Sequence, residues 1–531
     1  MFKWKWWFFF LSCLINKKQN SFFKLNFRKI FGDKEFVKKA LKLFFPAIIQ
    51  NIIITAVAYV DNFFLATYAP QSQGLDAKTA TILATQLLYL PTIFTVAVCY
   101  ACSVYSSQYL GSKNYHKFKE TINYMILGSV VLNIPFLIAY IGFPQWSVTT
   151  YAGSIGNFGK DLSKITPEEL ANFEKVNKWA SMYLQYAMIG QCFYAFSYPF
   201  AIAHRQDARP TIPLFGSIAA LCLNCILDPV LMILVAKTPE EAVMLAVFST
   251  IASRGFDLSI VLLCVFIFKK RATYVVNYWN LTWRLLKNIF KRGWFIAVNE
   301  IIFSLSTILL SLFLYKYHPD IRASASTALL ISQFTKLIWP GMNTIVAVLV
   351  LSHLGRNEIS AAKQNSRYTI AWSLVIACIL AIILFILSFF INPLLNPPLS
   401  NSLVDIEHAK KVAKLATQLE WVLVAEIIIL GPYAAMNNCI RGAGVIYGSI
   451  NDSSVMITWV VMFALISTFA YHPKIPHVLT FALLESNWLV KMILVSILFS
   501  KVNWAKNLIN TNQLKTINNM QTFAFNYNKN K

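Results

Sequence analysis

The sequence predicts an all-α membrane protein of twelve transmembrane helices, arranged as two six-helix bundles related by a pseudo-two-fold axis along the membrane normal. Three observations carry that prediction. The 531 residues are 57% hydrophobic and 13% charged, with a mean hydropathy of +0.55, too apolar for a soluble globule. Apolar windows of about 20 residues, the length that crosses a bilayer as a helix, recur twelve times. A polar stretch that follows the second window also recurs after the eighth.

Taken in order, the opening "MFKWKWWFFFLSCLINKK" reads as an interfacial amphipathic anchor. Its apolar run is too short to span, no small-residue cleavage site follows, and Lys, Trp and Phe suit the headgroup zone. Residues 1–42 are therefore expected as a basic cytoplasmic segment. Windows at 43–67, 81–110, 121–142, 179–203, 211–236 and 242–268 form spans one to six, the first bundle (43–268). The basic, Trp-containing 269–293 is the cytoplasmic linker. Windows at 294–315, 324–354, 368–391, 417–440, 448–470 and 478–500 form spans seven to twelve, the second bundle (294–500). Residues 501–531 are expected as a disordered cytoplasmic tail. In each half the fourth span follows a polar helical segment, "TPEELANFEKVNK" or "DIEHAKKVAKLATQ", and Thr166 before Pro167 is a good N-cap.

Charge sets the orientation. With the N-terminus inside, 32 of the 47 Lys and Arg fall on inward segments and 12 on outward ones, which places both termini in the cytoplasm of a cell whose plasma membrane holds the protein. Those basic residues are dispersed between apolar spans, so the net charge of +24 points to topology and away from nucleic acid. The repeat is explicit in "SSQYLGSKNYHKFKETINY" (106–124) and "LSHLGRNEISAAKQNSRY" (351–368), where Leu110-Gly111, Lys119 and Tyr124 align with Leu354-Gly355, Lys363 and Tyr368. Six spans per half leave both copies in one orientation, and two such bundles around a central cleft fit alternating access. The pairs "CYAC" (Cys99, Cys102) and "CLNC" (Cys222, Cys225) lie in apolar spans without His partners and read as packing, so no metal centre or cofactor is expected.

Carboxylates at bilayer depth are costly and mark function by default. Asp61 in "YVDN" and Asp228 in "LNCILDPVL" lie at similar depth in spans one and five. Gln50 lies three turns from Asp61 on one face, and Asn224 one turn from Asp228. Two acids with amide neighbours make a site for H+ or Na+. The alternative is that Asp228-Pro229 marks a helix end and Asp61 sits at the headgroups. In the sixth span, Arg254 and Asp257 at i, i+3 are expected to neutralise each other; Glu485 and Lys491 of span twelve are expected to do the same. In the second bundle, Glu426 is placed to pair with Lys336, Asp452 is interfacial, and Glu300, flanked by Asn299 and Ser304, has no cationic partner in its own span.

At these residues the chain resembles the multidrug and toxic compound extrusion (MATE) family, from Leu41 to Leu508. The stretches "FFPAIIQNIIITAVAYVDNFFLA", "QYLGSKNYHKFKE", "LNCILDPVL", "VFSTIASR", "RGWFIAVNEIIFSLS", "IRGAG" and "KVNWAKNL" carry the likeness in order. The resemblance implies a twelve-helix antiporter that exports organic cations and drug-like amphiphiles against inward H+ or Na+. It implies cation coupling at Asp61, Asn224 and Asp228, a cation or substrate role for Glu300 with Glu426 nearby, and architectural roles for Arg254 and Trp504. The chain departs from the family in three places: Phe295 stands for a seventh-span Pro, Arg441-Gly-Ala-Gly lacks a following Asp, and the tenth-span acid is shifted by about a turn. The expected partners are the bilayer and small organic cations, and the expected state is a monomer. Two other functions compete. A lipid-linked-precursor flippase calls for a more cationic cavity, and a polytopic membrane enzyme calls for a clustered His, Asp or Ser constellation. No GxxxxGK[ST] loop for ATP-driven transport occurs.

Overall fold

A computed structural model describes residues 28–68, 74–156, 167–267, 281–317, 324–325, 328, 331–332, 335–395, 403–469 and 476–509. The N-terminal anchor, the Thr166 cap and the end of the tail lie outside the described residues. The first-bundle spans are Lys34–Tyr68, Gly74–Gly111, Tyr115–Leu137, Pro167–Gln206, Thr211–Leu234 and Pro239–Ile267. Spans seven to twelve are Trp283–Tyr317; Ile338–Val346 continued to Gly355; Ile359–Leu395; Leu403–Gly442; Tyr447–Phe469; and His477–Lys501, broken at Ser486. Eleven described helices are long and apolar enough to cross a membrane. The twelfth, span four, has 40 residues and is less apolar because it buries Ser181, Gln191 and Ser197 against its neighbours.

Most helices outrun their apolar windows. Residues 34–42 belong to span one and residues 283–293 to span seven, so helix replaces part of the expected segment and linker. The tail is likewise ordered at its start: Trp504, Ala505, Leu508 and Ile509 are buried, and the Leu508 amide donates to Gln108 Oε1 at 2.9 Å. Its apolar residues find a crevice between the halves, which is why 503–509 departs from the disorder expected of it.

The packing repeats with a six-span offset. Spans two and four, three and four, four and six, one and five, and five and six pack together, and each pair has its counterpart in the second half. Between halves, span two meets seven and span eight meets one, the exchange a two-fold axis requires. The helix ends repeat too. After span two, Ser112, Lys113 and Asn114 donate to Gln108, Leu110 and Tyr109; after span eight, Arg356, Asn357 and Glu358 donate to Ser352, Leu354 and His353. Lys113 (φ 60°) and Asn357 (φ 65°) hold the same left-handed position. The aligned repeat is thus one turn built twice.

Span five explains how an acid is brought inside. Its buried positions Ile212, Gly216, Ala220, Asn224, Asp228 and Met232 recur every four residues, while Phe215, Ile226, Val230 and Ile233 point outward. The helix therefore turns its polar stripe to the bundle and its apolar side to lipid.

Candidate functional site

Span five continues through Pro229 to Leu234, so Asp228 lies within the helix and not at its end. Proline at 229 removes one backbone hydrogen bond there and loosens the turn that carries the acid. Asp61, only 4% exposed, is inside the bundle and not at the headgroups. It accepts hydrogen bonds from Asn224 Nδ2 at 2.8 Å and from Thr250 Oγ1 at 2.7 Å. Asn224 also donates to Ser249 Oγ at 3.2 Å. Asp228 is fully buried and faces Asp61, with the Ser249 hydroxyl beside its carboxyl. Tyr183 of span four closes the site beside Thr250. Two buried carboxylates facing each other repel unless a cation sits between them or one carries a proton, so the site is built to take up positive charge.

Sequence reasoning brought Asp61, Asn224 and Asp228 together and missed Ser249, Thr250 and Tyr183. The signal was available in "VFSTIASR", whose adjacent hydroxyls project from span six towards the acids. Gln50 is elsewhere. Its Oε1 accepts from Arg205 Nε at 3.1 Å and Nη2 at 2.5 Å, and its Nε2 donates to Ser217 at 3.4 Å. Eleven residues of helix separate it from Asp61, roughly 16 Å of rise, so a shared face does not make a shared site.

Charges in the second bundle pair across helices, not along them. Glu300 forms an ion pair with Arg441 of span ten, whose guanidinium lies 5.9 Å from the Trp339 ring. Lys491 is fully buried and pairs with Asp452 at 2.7 Å, not with Glu485; Trp488 and Phe303 flank it at 4.2 and 4.9 Å. Asp452 is accordingly inside the bundle and not interfacial, and it accepts from Asn299 Nδ2 at 3.1 Å. Glu426 is buried with Glu485 and Lys336 as charged neighbours, and neither of its oxygens is hydrogen-bonded among the described residues. Arg254 also lacks its expected partner: it lies 5.2 Å from the Tyr194 ring and makes no ion pair with Asp257. Adjacent helices offer these long cationic side chains closer partners than their neighbours along the same helix do.

The two halves use one design with different charges. Arg205 and Arg441 each lie three residues before a left-handed position, Ala208 (φ 59°) and Gly444 (φ 74°). Each arginine reaches the first span of its own half, where Arg205 finds the neutral Gln50 and Arg441 the acidic Glu300. Glu300 stays partly exposed, and Tyr89 and Tyr100 of span two lie near it across the interface between halves. An acid with an aromatic wall can receive a cationic, flat ligand. Among the described residues no group of three or more His, Cys, Asp or Glu is placed to hold a metal ion.

The MatE family model matches residues 46–230 and 296–450. Multidrug export protein MepA of Staphylococcus aureus (strain bovine RF122 / ET3-1) is 23% identical over 329 residues, which cover 61% of this chain and 66% of that protein. MepA of Staphylococcus saprophyticus is 22% identical over 322 residues, covering 60% and 65%. The chain thus spans just under two thirds of the length of these relatives. Among solved structures, the eukaryotic MATE transporter AtDTX14 superposes with a TM-score of 0.68 at 15% identity, covering 89% of this chain and 97% of that one. The bent form of Vibrio cholerae VcmN gives 0.66 at 14%, covering 88% and 97%. The structural likeness fixes the fold, and the family match takes in more than half of the sequence: the chain belongs to the MatE family of membrane transporters.

Proposed function

We propose that the protein is a secondary antiporter that exports organic cations and drug-like amphiphiles in exchange for a coupling cation bound at Asp61 and Asp228. The observation that carries this reading is the buried pair of facing carboxylates, Asp61 and Asp228, set among Asn224, Ser249 and Thr250. Such a pair is stable only in a positively charged environment or with a proton, which makes cation binding and the packing of spans one and five interdependent. A proton suits the site because Asn224 and Thr250 already occupy Asp61, leaving few oxygens for a metal ion. Asn224 Oδ1, buried without a partner among the described residues, is the feature that favours Na+ instead.

In this cycle the outward-open cleft takes a proton onto the carboxyl pair. Neutralisation lets span one move against span five at the Pro229 turn, narrowing the drug site and releasing drug outward. Return to the inward-open state passes the proton to the cytoplasm. Glu300 and the aromatic groups Tyr89, Tyr100 and Trp339 engage the cationic drug from the second bundle. The reading includes a monomer with both termini cytoplasmic, on the positive-inside argument, and domain limits near 43–268 and 294–500. The naming of the similar MepA as a multidrug export protein supports the substrate class. The acidic mid-membrane charge disfavours a flippase that must hold a pyrophosphate.

The test is efflux of a fluorescent organic cation from proteoliposomes under an imposed pH gradient and, separately, an Na+ gradient. Flux driven by one gradient and abolished in Asp228→Asn, with the variant still folded, is the expected result. Equal flux in wild type and variant refutes the assignment.

A further inference from the structure

A cavity that the carboxyl pair does not account for lies on the basic side of that site. It is bounded by Gln50 of span one, Ser197 of span four, Ser217 of span five, and Thr250, Arg254 and Asp257 of span six, among others. It has room for about two water molecules. At its outer end is Thr250, the residue that donates to Asp61. At its inner end, seven residues and roughly 10 Å further along span six, is Asp257.

Ser197 of span four hydrogen-bonds the Asp257 carboxyl, but other polar atoms here lack partners. Ser253 Oγ and Asp257 Oδ1 are buried without a hydrogen bond among the described residues. Arg254, the nearest cation, is turned onto Tyr194 and makes no ion pair with Asp257, acting on it only from a distance. Gly216 leaves the space: a Cβ there would lie 2.7 Å from Asp257 Oδ1. Orphaned polar atoms around a small cavity are the setting in which buried water is held. Other groups face Asp257 from each packed element. Span four brings Tyr194, Tyr198 and, behind Gln50, Arg205; span five brings Gly216 and Ser217; Asp61 and Asp228 lie at the far end.

We propose that Asp257 is the inner relay for the coupling proton, receiving it from the Asp61–Asp228 pair through water in this cavity. In the step, the carboxyl pair gives up one proton to the water chain, the chain passes a proton on and is left unchanged, and Asp257 gains it at Oδ1. Asp257 then releases it to water on the basic side. Arg254 makes the relay short-lived, because a nearby guanidinium favours the carboxylate that re-forms. This inference rests on the proton-coupled form of the proposed function.

The test compares wild type, Asp257→Asn, Asp257→Glu and Gly216→Ala in proteoliposomes, with affinity for a fluorescent organic cation measured on the same preparations. Asp257→Asn is expected to lower pH-gradient-driven efflux by about tenfold or more while leaving dye affinity unchanged. Asp257→Glu is expected to restore the flux, and Gly216→Ala to give an intermediate loss by crowding Oδ1. Should Asp257→Asn not accumulate as folded protein, Gly216→Ala carries the comparison. Asp257→Asn with wild-type flux overturns the relay alone, as does loss of dye affinity in parallel with flux. A wild type indifferent to a pH gradient overturns proton coupling itself.

Discussion

The contact between the ends of spans two and eight should set which face of the protein is closed. Gly111 lies against Ser352, and Gly355 against Gln108, which are each other's counterparts in the aligned repeat. A Cβ at Gly111 would stand 2.1 Å from the Ser352 carbonyl oxygen, and one at Gly355 would stand 2.0 Å from that of Gln108. Ordinary contact begins at 3.4 Å and real Cβ contacts essentially never fall under 3.0 Å, so each alanine forces the helix ends apart by roughly 1 Å. Neither neighbour can yield, since both are backbone. Overpacking of this kind costs about 1–3 kcal/mol, which shifts a two-state equilibrium about 5–150-fold away from the closed arrangement. Spin labels at Lys113 and Glu358, in the turns that follow the two helices, would report the separation. Gly111→Ala and Gly355→Ala should each populate a longer distance, and the double variant should do so most. An unchanged distance distribution with unchanged transport would refute the idea that these glycines hold the halves together.

Three further outcomes follow from the same geometry. Lys491→Met alone should destabilise the protein by about 3–5 kcal/mol by leaving Asp452 unpaired, and Asp452→Leu should recover much of that loss in a thermal unfolding assay of the double variant. Glu300→Gln should raise KM for a cationic dye with less effect on an uncharged one, as competition assays would show; equal effects would argue that Glu300 only anchors Arg441. Gly444→Ala meets both a φ of +74° and a Leu508 Cδ1 atom 2.9 Å away, so it should loosen the 503–509 segment and increase protease cleavage there.

Much of this was legible in the sequence. The twelve apolar windows lie on helix among the described residues because only a helix satisfies its own backbone within one segment in lipid. Asp61, Asn224 and Asp228 could be placed together because a four-residue spacing on span five and matched depth on span one leave little freedom. The repeat after spans two and eight was readable because its turns need the same left-handed residue at Lys113 and Asn357.

What failed were pairings judged along one helix. Arg254 with Asp257, Glu485 with Lys491 and Gln50 with Asp61 each respect helical spacing, and none is the contact made. Their true neighbours come from other spans: Tyr194 for Arg254, Asp452 for Lys491, Arg205 for Gln50. Spacing fixes which face a side chain occupies but not which helix that face meets. Thr250 and Ser249 escaped notice for a related reason, since hydroxyls in an apolar run carry no periodic signal of their own. The ordered start of the tail was hidden because Trp504 and Leu508 become a core only when two halves offer them a crevice.

The most direct test of the central claim, that drug and proton compete through Asp61 and Asp228, is proton release on drug binding. Purified wild-type protein in weakly buffered detergent solution, mixed with saturating organic cation, should release protons in proportion to the cation bound, and Asp61→Asn combined with Asp228→Asn should release none. Binding of the cation by wild type with no change in pH would contradict the account.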